Sequence, residues 1–293
     1  MPTNVLIAGG GPAALEAALA LHRLAADRVS LTLLSPETDL TYRPLSVLAP
    51  FAAGGATTYP LERMAVDIGF THVRGRLASV DPAAHTVTTV AGERMGYDAL
   101  LIASGARPSE PFPAATAFAG SLTDQERLHG IVQDVEGGYL HRIAFVVPSG
   151  ATWPLPLYEI ALMLAERAYE LGSDVELHFV TPEAEPLELF GPRAAQEVRK
   201  LLGEAAIVLH TNAATEIGDR GSLRVTPDAR ALNVDRIVSL PRLLGPRIAG
   251  LPADPQGFLA TDGHARVLGV PNVYAAGDVT AFPIKQEIGR AHV

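Results

Sequence analysis

The stretch that most constrains the fold is Val5 to Leu21, where a short apolar run breaks into three glycines and then resumes at helical spacing. Gly9, Gly11 and Ala14 form the pattern G-x-G-x-x-A, which is typical of a dinucleotide-binding strand, turn and helix. Glycines allow a sharp turn and a close backbone approach to a pyrophosphate, and free N–H groups at a helix start attract its charge. Pro12 suits that first helical turn. The sequence therefore predicts a phosphate-binding turn, with a plain strand-to-helix connection as the alternative.

Composition favours a globular protein of about two domains, since the 293 residues are 48% apolar and only 19% charged. The formal net charge of −9 comes from scattered carboxylates, which argues against a nucleic-acid partner. No cysteine is present, which excludes disulfides, thiolate metal sites and redox-active cysteine pairs. The nine histidines lack metal-ligand spacing, so we expect no metal.

A membrane span is not predicted, because Glu16 interrupts the longest apolar run. The glycine motif begins within ten residues of Met1 and leaves no room for a signal peptide. We therefore expect a cytoplasmic protein.

The second parallel strand is predicted at Val29 to Leu34, and it ends in Ser35-Pro36-Glu37. A dinucleotide-binding unit usually carries a carboxylate here, which accepts hydrogen bonds from ribose hydroxyls. Ser35 has the expected spacing and Glu37 is the nearest carboxylate. Either side chain could bind a ribose, and Glu37 could equally be a plain loop carboxylate.

Two further buried strands are predicted to end in glycine turns. Residues 97–104 run into Ser104-Gly105, and residues 272–278 run into Gly277-Asp278. Ligands of open α/β sheets bind at the carboxyl ends of strands, so both turns are candidate binding elements, although Asp278 could simply cap its turn. Between them, residues 71–90 are predicted as antiparallel strands, and residues 41–51 as a loop that becomes a short helix at Pro44.

Pro108, Pro111 and Pro113 predict a stiff connection and a domain boundary. A second α/β unit should follow. Its predicted elements are a helix capped by Thr123, a strand at 142–147, a helix at 157–171, a strand at 174–181 and a helix at 192–202.

The turn of this second unit, residues 148–156, contains one glycine and three prolines in place of a nucleotide fingerprint. Prolines lack N–H donors and Trp153 is bulky, so a standard pyrophosphate cradle is not encoded. Nicotinamide nucleotide binding is therefore in doubt. Trp153 is either a domain-interface anchor or a stacking surface for a flat ligand.

Three segments in this order resemble the FAD-dependent pyridine-nucleotide-disulfide oxidoreductase superfamily: GGGPAALEAA at 9–18, YDALLIASGARP at 97–108 and NVYAAGD at 272–278. TYRPL at 41–45 and FPIKQ at 282–286 are similar to its branch of type II NADH dehydrogenases and sulfide:quinone oxidoreductases. The resemblance implies an α/β fold with two Rossmann-like, three-layer nucleotide-binding domains. The first is a discontinuous FAD-binding domain, residues 1–110 and 243–286, and the second is an NAD(P)-binding-like domain, residues 111–242.

The resemblance implies FAD as the cofactor. The residues that it assigns to FAD are Gly9, Gly11, Pro12, Ala13, Ala14, Ser35, Glu37, Arg43, Leu77, Ser104, Gly105, Gly277, Asp278 and Lys285. Those at 9–14 and 277–278 would hold the pyrophosphate and a ribityl hydroxyl, and Leu77 would meet the adenine through its backbone. Arg43 and Lys285 would approach the flavin ring. Glu159 is a proton relay or a plain cap, and the catalytic candidates are Glu159 and Lys285.

The sequence also departs from this family. Sulfide oxidation and disulfide reduction in that family use cysteines. Because this chain has no cysteine, we expect neither reaction. The turn PSGATWPLPLYE resembles the sulfide-dehydrogenase type, so NAD(P)H and another small reductant both stay open as donor. We expect the donor to bind in a pocket beside Trp153 and Tyr158.

Residues 287–293, EIGRAHV, match neither the family's continuation nor a core pattern, and we interpret them as an artefactual tail on a truncated chain. In the family, the region beyond covers the flavin, contributes to homodimers and touches the membrane.

The leading hypothesis is an FAD-dependent oxidoreductase that passes electrons from a small donor to a quinone or another acceptor. A non-catalytic or degenerate flavoprotein of the same fold is the alternative. A NAD-binding Rossmann dehydrogenase or sensor is a third, and it leaves Gly277-Asp278 without a role.

Overall fold

A computed structural model describes residues 1–112, 114–151, 153–217, 222–226 and 230–285. The proposed tail, residues 287–293, and Gln286 lie outside the described residues. The chain divides into two compact units: the first holds Met1–Tyr42, Thr57–Arg107 and the chain from Leu243 onwards, and the second holds Arg43–Ala56 and Pro108–Arg242. Residues 43–56, which we assigned by sequence to the first domain, cluster with the second unit.

The described helices are α1 (Pro12–Ala25), α2 (Leu61–Ile68), α3 (Leu122–Glu136), α4 (Leu155–Leu171) and α5 (Pro192–Glu204). The strands are β1 (Thr3–Ala8), β2 (Val29–Ser35), β3 (Asp39–Tyr42), β4 (Thr57–Pro60), β5 (Thr71–Arg74), β6 (Leu77–Asp81), β7 (Thr86–Thr89), β8 (Arg94–Gly96), β9 (Ala99–Ile102), β10 (Arg107–Ser109), β11 (Thr116–Ala117), β12 (Arg142–Val146), β13 (Glu176–Val180), β14 (Val208–His210), β15 (Ala214–Ile217), β16 (Ser222–Thr226), β17 (Arg230–Asn233), β18 (Arg236–Ser239), β19 (Arg242–Leu244) and β20 (Val273–Ala275).

The first unit is built on a parallel five-stranded sheet with the order β20-β9-β1-β2-β5. The apolar residues of β1 face both sides: Val5 and Ile7 pack with α1 and α2, while Leu6 and Ala8 pack in the core on the opposite face. Chain order reverses between β1 and β9, so the topological switch point lies between these strands.

The prediction for residues 71–90 was wrong in part. Only β6, β7 and β8 form the antiparallel sheet, whereas β5 joins the main sheet in parallel with β2. A four-residue strand with no fully buried residue has no local signal for its direction, which is decided by the partner strand.

The second unit repeats the plan with the parallel order β11-β18-β12-β13-β14. Helices α3 and α4 cover one face through a large apolar core that includes Phe145 and Phe179. A second core on the other face joins Val146 and Val180 to residues of the antiparallel sheet β15-β16-β17. Apolar residues alternate along β12 and β13 into these two cores, which gives three layers.

The cap of α3 also differs from the prediction. Ser121, and not Thr123, is the N-cap residue: its hydroxyl accepts from the Asp124 N–H, and the Asp124 carboxylate accepts from the Ser121 N–H. This reciprocal pair satisfies two helix-end donors, so the helix begins at Leu122.

Equivalent aspartates anchor β1 and β12, which are the middle strands of the two five-stranded sheets. Asp98 accepts a hydrogen bond of 2.7 Å from the N–H of Asn4 at the start of β1. Asp235 accepts bonds of 2.9 Å from the N–H groups of His141 and Arg142 at the start of β12. These two N–H groups hold the pKa of Asp235 below its usual range, with the bond from His141 the largest cause.

The anchoring role of Asp235 predicts acid sensitivity. A lowered pKa contributes stability above the ordinary carboxyl value of about 3.9, and this contribution is lost as pH falls through the lower value of the folded state. We expect Asp235→Asn to reduce the free energy of unfolding by about 1 kcal/mol near neutral pH and by less in acid. Urea unfolding across this pH range measures the difference, with exposed Asp27→Asn as control. An equal loss at every pH would contradict the assignment.

Candidate functional site

Gly9 forms the turn after β1 in a conformation that other residues rarely adopt, with φ of +138°. Its N–H donates to the Leu34 carbonyl oxygen at 2.9 Å. A Cβ at this position would collide with the carbonyl group of Ala103, which follows β9. Only glycine therefore permits the close approach of the two strand ends at the switch point.

The two following glycines have different surroundings. A Cβ on Gly10 would strike the Ser35 hydroxyl, whereas a Cβ on Gly11 would meet no atom within 4 Å. In the described part of the chain, the N–H groups of Gly10, Gly11 and Ala13 have no hydrogen-bond acceptor, and no side chain caps α1. Open space thus lies in front of unpaired donors at a helix start, which is the arrangement that binds a phosphate.

Gly277 lies at the same edge of the sheet. It follows β20 with φ of +75°, and its Cβ position is 3.0 Å from the Cβ of Ala13. Asp278 is half-buried in the same 3₁₀ turn, where the Thr280 hydroxyl donates to the Gly277 carbonyl oxygen at 2.9 Å. Two motifs more than 260 residues apart along the chain, 9–14 and 277–278, are therefore in contact.

Ser104, Gly105 and Leu77 also follow strands of this parallel sheet. Ser104 is exposed after β9, and Gly105 has φ of +70° with open space at its Cβ position. Leu77 begins β6 opposite Thr89, two residues after Gly75, whose N–H donates to the Ser35 carbonyl oxygen at 3.1 Å.

Ser35 and Glu37, at the end of β2, have different roles, although the sequence allowed either side chain to bind a ribose. Ser35 is 0% exposed, and its hydroxyl donates to Glu37 Oε2 at 2.8 Å. It also accepts from the Glu37 N–H at 3.3 Å. Glu37 itself is exposed, so its carboxylate is the group that faces outward and Ser35 positions it.

Lys285 is only 5% exposed within the first unit. Its amine donates to the Thr280 carbonyl oxygen and lies 4.1 Å from the ring centre of Phe258. Burial lowers the pKa of Lys285, and the negative charges of Asp278 and Asp254 oppose that shift.

Arg43 and Glu159 belong to the second unit. Arg43 is exposed at the start of a 3₁₀ segment, Arg43–Phe51. Glu159 is half-buried on α4, and burial raises its pKa. It is not a cap, because it lies beyond the first turn of a helix whose N-cap residue is Pro154. Trp153 packs edge-on against Phe190 with ring centres 5.4 Å apart.

Sequence reasoning missed Glu183. It follows β13 as Thr181-Pro182-Glu183, and Tyr158 of α4 donates to its Oε2 at 2.7 Å. The available signal was the repeat of Ser/Thr-Pro-Glu after a parallel strand, at 35–37 and again at 181–183. Burial is the main cause that raises the pKa of the Glu183 carboxyl, which the hydrogen bond from Tyr158 opposes.

Comparison with known proteins agrees with this geometry. The sequence profile described as pyridine nucleotide-disulphide oxidoreductase matches residues 3–293. The chain belongs to this family. Family membership makes the protein an FAD-dependent oxidoreductase with Rossmann-type α/β units, as the sequence resemblance implied.

Two relatives are similar to this chain in sequence. An NADH dehydrogenase-like protein of Mycobacterium tuberculosis is 27% identical over 308 residues, covering 97% of this chain and 74% of the relative. The sulfide-quinone reductase of Aquifex aeolicus is 27% identical over 197 residues, covering 62% of this chain and 44% of the relative.

Two solved structures share the fold. The Aquifex aeolicus sulfide:quinone oxidoreductase has a TM-score of 0.86 at 21% identity, over 99% of this chain and 72% of its own. Plasmodium falciparum NDH2 in complex with NADH has a TM-score of 0.76 at 15% identity, over 96% of this chain and 65% of its own.

No group of side chains suited to a metal ion occurs among the residues that the structure describes. Across the same residues, every helix is too short or too polar to cross a bilayer.

The contact at the switch point predicts that Gly9 and Gly11 respond differently to alanine. Gly9→Ala should destabilise the protein by about 2 kcal/mol or more, because the new Cβ meets the Ala103 carbonyl in a strained conformation. Gly11→Ala should change the free energy of unfolding by less than about 1 kcal/mol, since φ there is −86° and space is open. Urea unfolding of the flavin-free protein measures both, and equal losses would contradict the geometry.

Proposed function

We propose that the protein binds FAD along the carboxyl edge of the first unit's sheet and passes electrons from NAD(P)H or another small reductant to a quinone or other acceptor. The observation that carries this proposal is the contact of residues 9–13 with Gly277 at the switch point. Both elements face one edge, as a single elongated cofactor requires. A NAD-binding sensor would leave the Gly277-Asp278 turn without a purpose.

The residues at this edge fit the cofactor. The unpaired N–H groups of Gly10, Gly11 and Ala13 would donate to the pyrophosphate, and the α1 dipole would add attraction for its charge. Pro12 and Ala14 keep the helix start compact, since Ala14 is fully buried against the sheet. Exposed Ser104 and the open space at Gly105 leave room for the cofactor along the edge, and Gly277 lets its turn approach Ala13 closely.

The adenosine end would be held by Glu37. An exposed carboxylate fixed by the Ser35 hydroxyl accepts hydrogen bonds from two ribose hydroxyls more strongly than a neutral serine does. Leu77 would contact the adenine through its backbone, and Asp278 would accept from a ribityl hydroxyl.

The flavin end would depend on charge. When bound, FAD supplies the redox chemistry, and the protein supplies position and electrostatics. We propose that Arg43 and Lys285 contribute positive charge near the ring, where negative charge develops on reduction. Glu159 is proposed as a proton relay, which the burial that raises its pKa supports.

A quinone acceptor is favoured by the name of one relative, the sulfide-quinone reductase of Aquifex aeolicus. A homodimer and a peripheral membrane contact are part of the proposal, and the sequence resemblance alone supports them.

Absorbance of the purified protein tests the proposal. A flavin spectrum that bleaches anaerobically with a physiological reductant, and returns on addition of a quinone, is the expected result. Flavin that no donor bleaches would support the non-catalytic alternative. A protein that takes up no FAD on titration would contradict the proposal.

Gly11→Val should weaken FAD binding at least tenfold, because its side chain would enter the open space before the helix start. Flavin fluorescence titration of the flavin-free protein measures the affinity. Gly203→Val is the matched control, since its Cβ position also meets no atom within 4 Å and it is exposed on α5 of the second unit. Equal affinity of Gly11→Val and wild type would contradict the assigned pyrophosphate site.

A further inference from the structure

The middle strands of the two five-stranded sheets, β1 and β12, end in equivalent hydrogen bonds. In the first unit the Gly9 N–H donates to the Leu34 carbonyl oxygen, and in the second the Val147 N–H donates to the Val180 carbonyl oxygen, both at 2.9 Å. Ser35-Pro36-Glu37 follows Leu34, and Thr181-Pro182-Glu183 follows Val180. Glu183 therefore occupies the position in the second unit that Glu37 occupies in the first.

The local hydrogen bonds around the two carboxylates are also the same. The Thr181 hydroxyl donates to Glu183 Oε2 at 2.8 Å and accepts from the Glu183 N–H at 3.2 Å, as Ser35 does with Glu37. The second unit thus has the framework of a ribose-binding carboxylate.

Tyr158 distinguishes the second carboxylate from the first. Its hydroxyl donates to Glu183 Oε2 at 2.7 Å, so this oxygen accepts from both Tyr158 and Thr181. Tyr158 is 1% exposed and stacks on Phe179 with ring centres 4.1 Å apart, which holds the phenol in place. Glu37, by contrast, is exposed.

The segment that precedes the first helix after the middle strand also differs between the two units. In the first unit α1 starts after the three glycines 9–11, whereas in the second the longer segment 147–154 precedes α4. Pro154 and Pro156 remove N–H groups at the start of α4, and the Leu157 N–H already donates to the Pro154 carbonyl oxygen at 3.0 Å. The start of α4 thus lacks the N–H that Gly11 supplies at the N-cap position of α1, so one donor fewer is available to a pyrophosphate.

We propose that Tyr158 occupies the ribose-binding carboxylate Glu183 from within, so that the second unit rejects nicotinamide dinucleotides and the electron donor is a small reductant of another chemical class. This inference rests on the proposed function and narrows its donor. Tyr158 is a specificity-determining residue, since its phenol supplies the hydrogen bond that a ribose hydroxyl would otherwise make.

Burial and the charge of Glu183 raise the pKa of Tyr158, which keeps the phenol protonated as a donor. Because Oε2 already accepts from Tyr158 and Thr181, an incoming ribose hydroxyl would have to displace one of these donors to bond to this oxygen. Without the phenol, the half-buried carboxylate would be available to a vicinal diol.

Titration calorimetry of the FAD-loaded full chain with NADH, and separately with NADPH, tests the inference. We expect no binding by the wild type below about 1 mM and at least tenfold tighter binding by Tyr158→Phe. Tyr169→Phe is the matched control, because it makes the same change on the same helix at a residue that is 88% exposed. Adding Glu183→Gln to Tyr158→Phe should abolish the gain.

Binding of either nucleotide by the wild type with a dissociation constant below about 1 mM would overturn the inference, whether or not the variants fold. Equal affinities of Tyr158→Phe and wild type would overturn the role of Tyr158. Bleaching of the same samples by dithionite reports separately on the flavin. Loss of flavin would count against the proposed function, while the calorimetry would still judge this inference on the flavin-free chain.

Discussion

The backbone of Gly9 lies so close to the carbonyl group of Ala103 that residue 9 cannot carry a side chain. This contact joins the ends of β1 and β9, between which the strand order reverses. Because all five strands are parallel, the turns after β20, β2 and β5 open on the same edge. The open space before α1 and the approach of Gly277 both depend on this arrangement, as does a binding site for a single long ligand.

The second unit repeats the scaffold with a different chemical outcome. Asp98 and Asp235 anchor the starts of β1 and β12. The next strands along the chain, β2 and β13, both lead into Ser/Thr-Pro-Glu. Yet Glu37 is exposed, whereas Glu183 is hydrogen-bonded to a buried tyrosine. Equivalent backbone positions thus provide an available carboxylate in one unit and an occupied one in the other. Function in this family must be argued from such side chains, because the fold alone does not distinguish them.

Most of the fold followed from local patterns. Apolar runs predicted β2, β12 and β13, and the glycine motif predicted the turn before α1. The direction of β5 was wrong, because it depends on a partner strand distant in sequence. The N-cap of α3 was misplaced by two residues, since Ser121 and Asp124 form a reciprocal pair that the apolar pattern does not mark. Glu183 was not predicted, because the turn before α4 lacks the glycine motif that marks Ser35-Pro36-Glu37 as a ribose-binding segment.

By itself, the sequence determined the parallel α/β class, the glycine turn and the absence of cysteine chemistry, since these depend on residue type and spacing within short segments. Only the tertiary structure decided that the turn at Gly277 lies against Ala13. It also decided that the Ser35 hydroxyl donates to Glu37 and that the Tyr158 hydroxyl donates to Glu183. Each of these contacts depends on how side chains are oriented after the strands pair and the helices pack. Local sequence patterns do not determine these distances, because tertiary packing sets them.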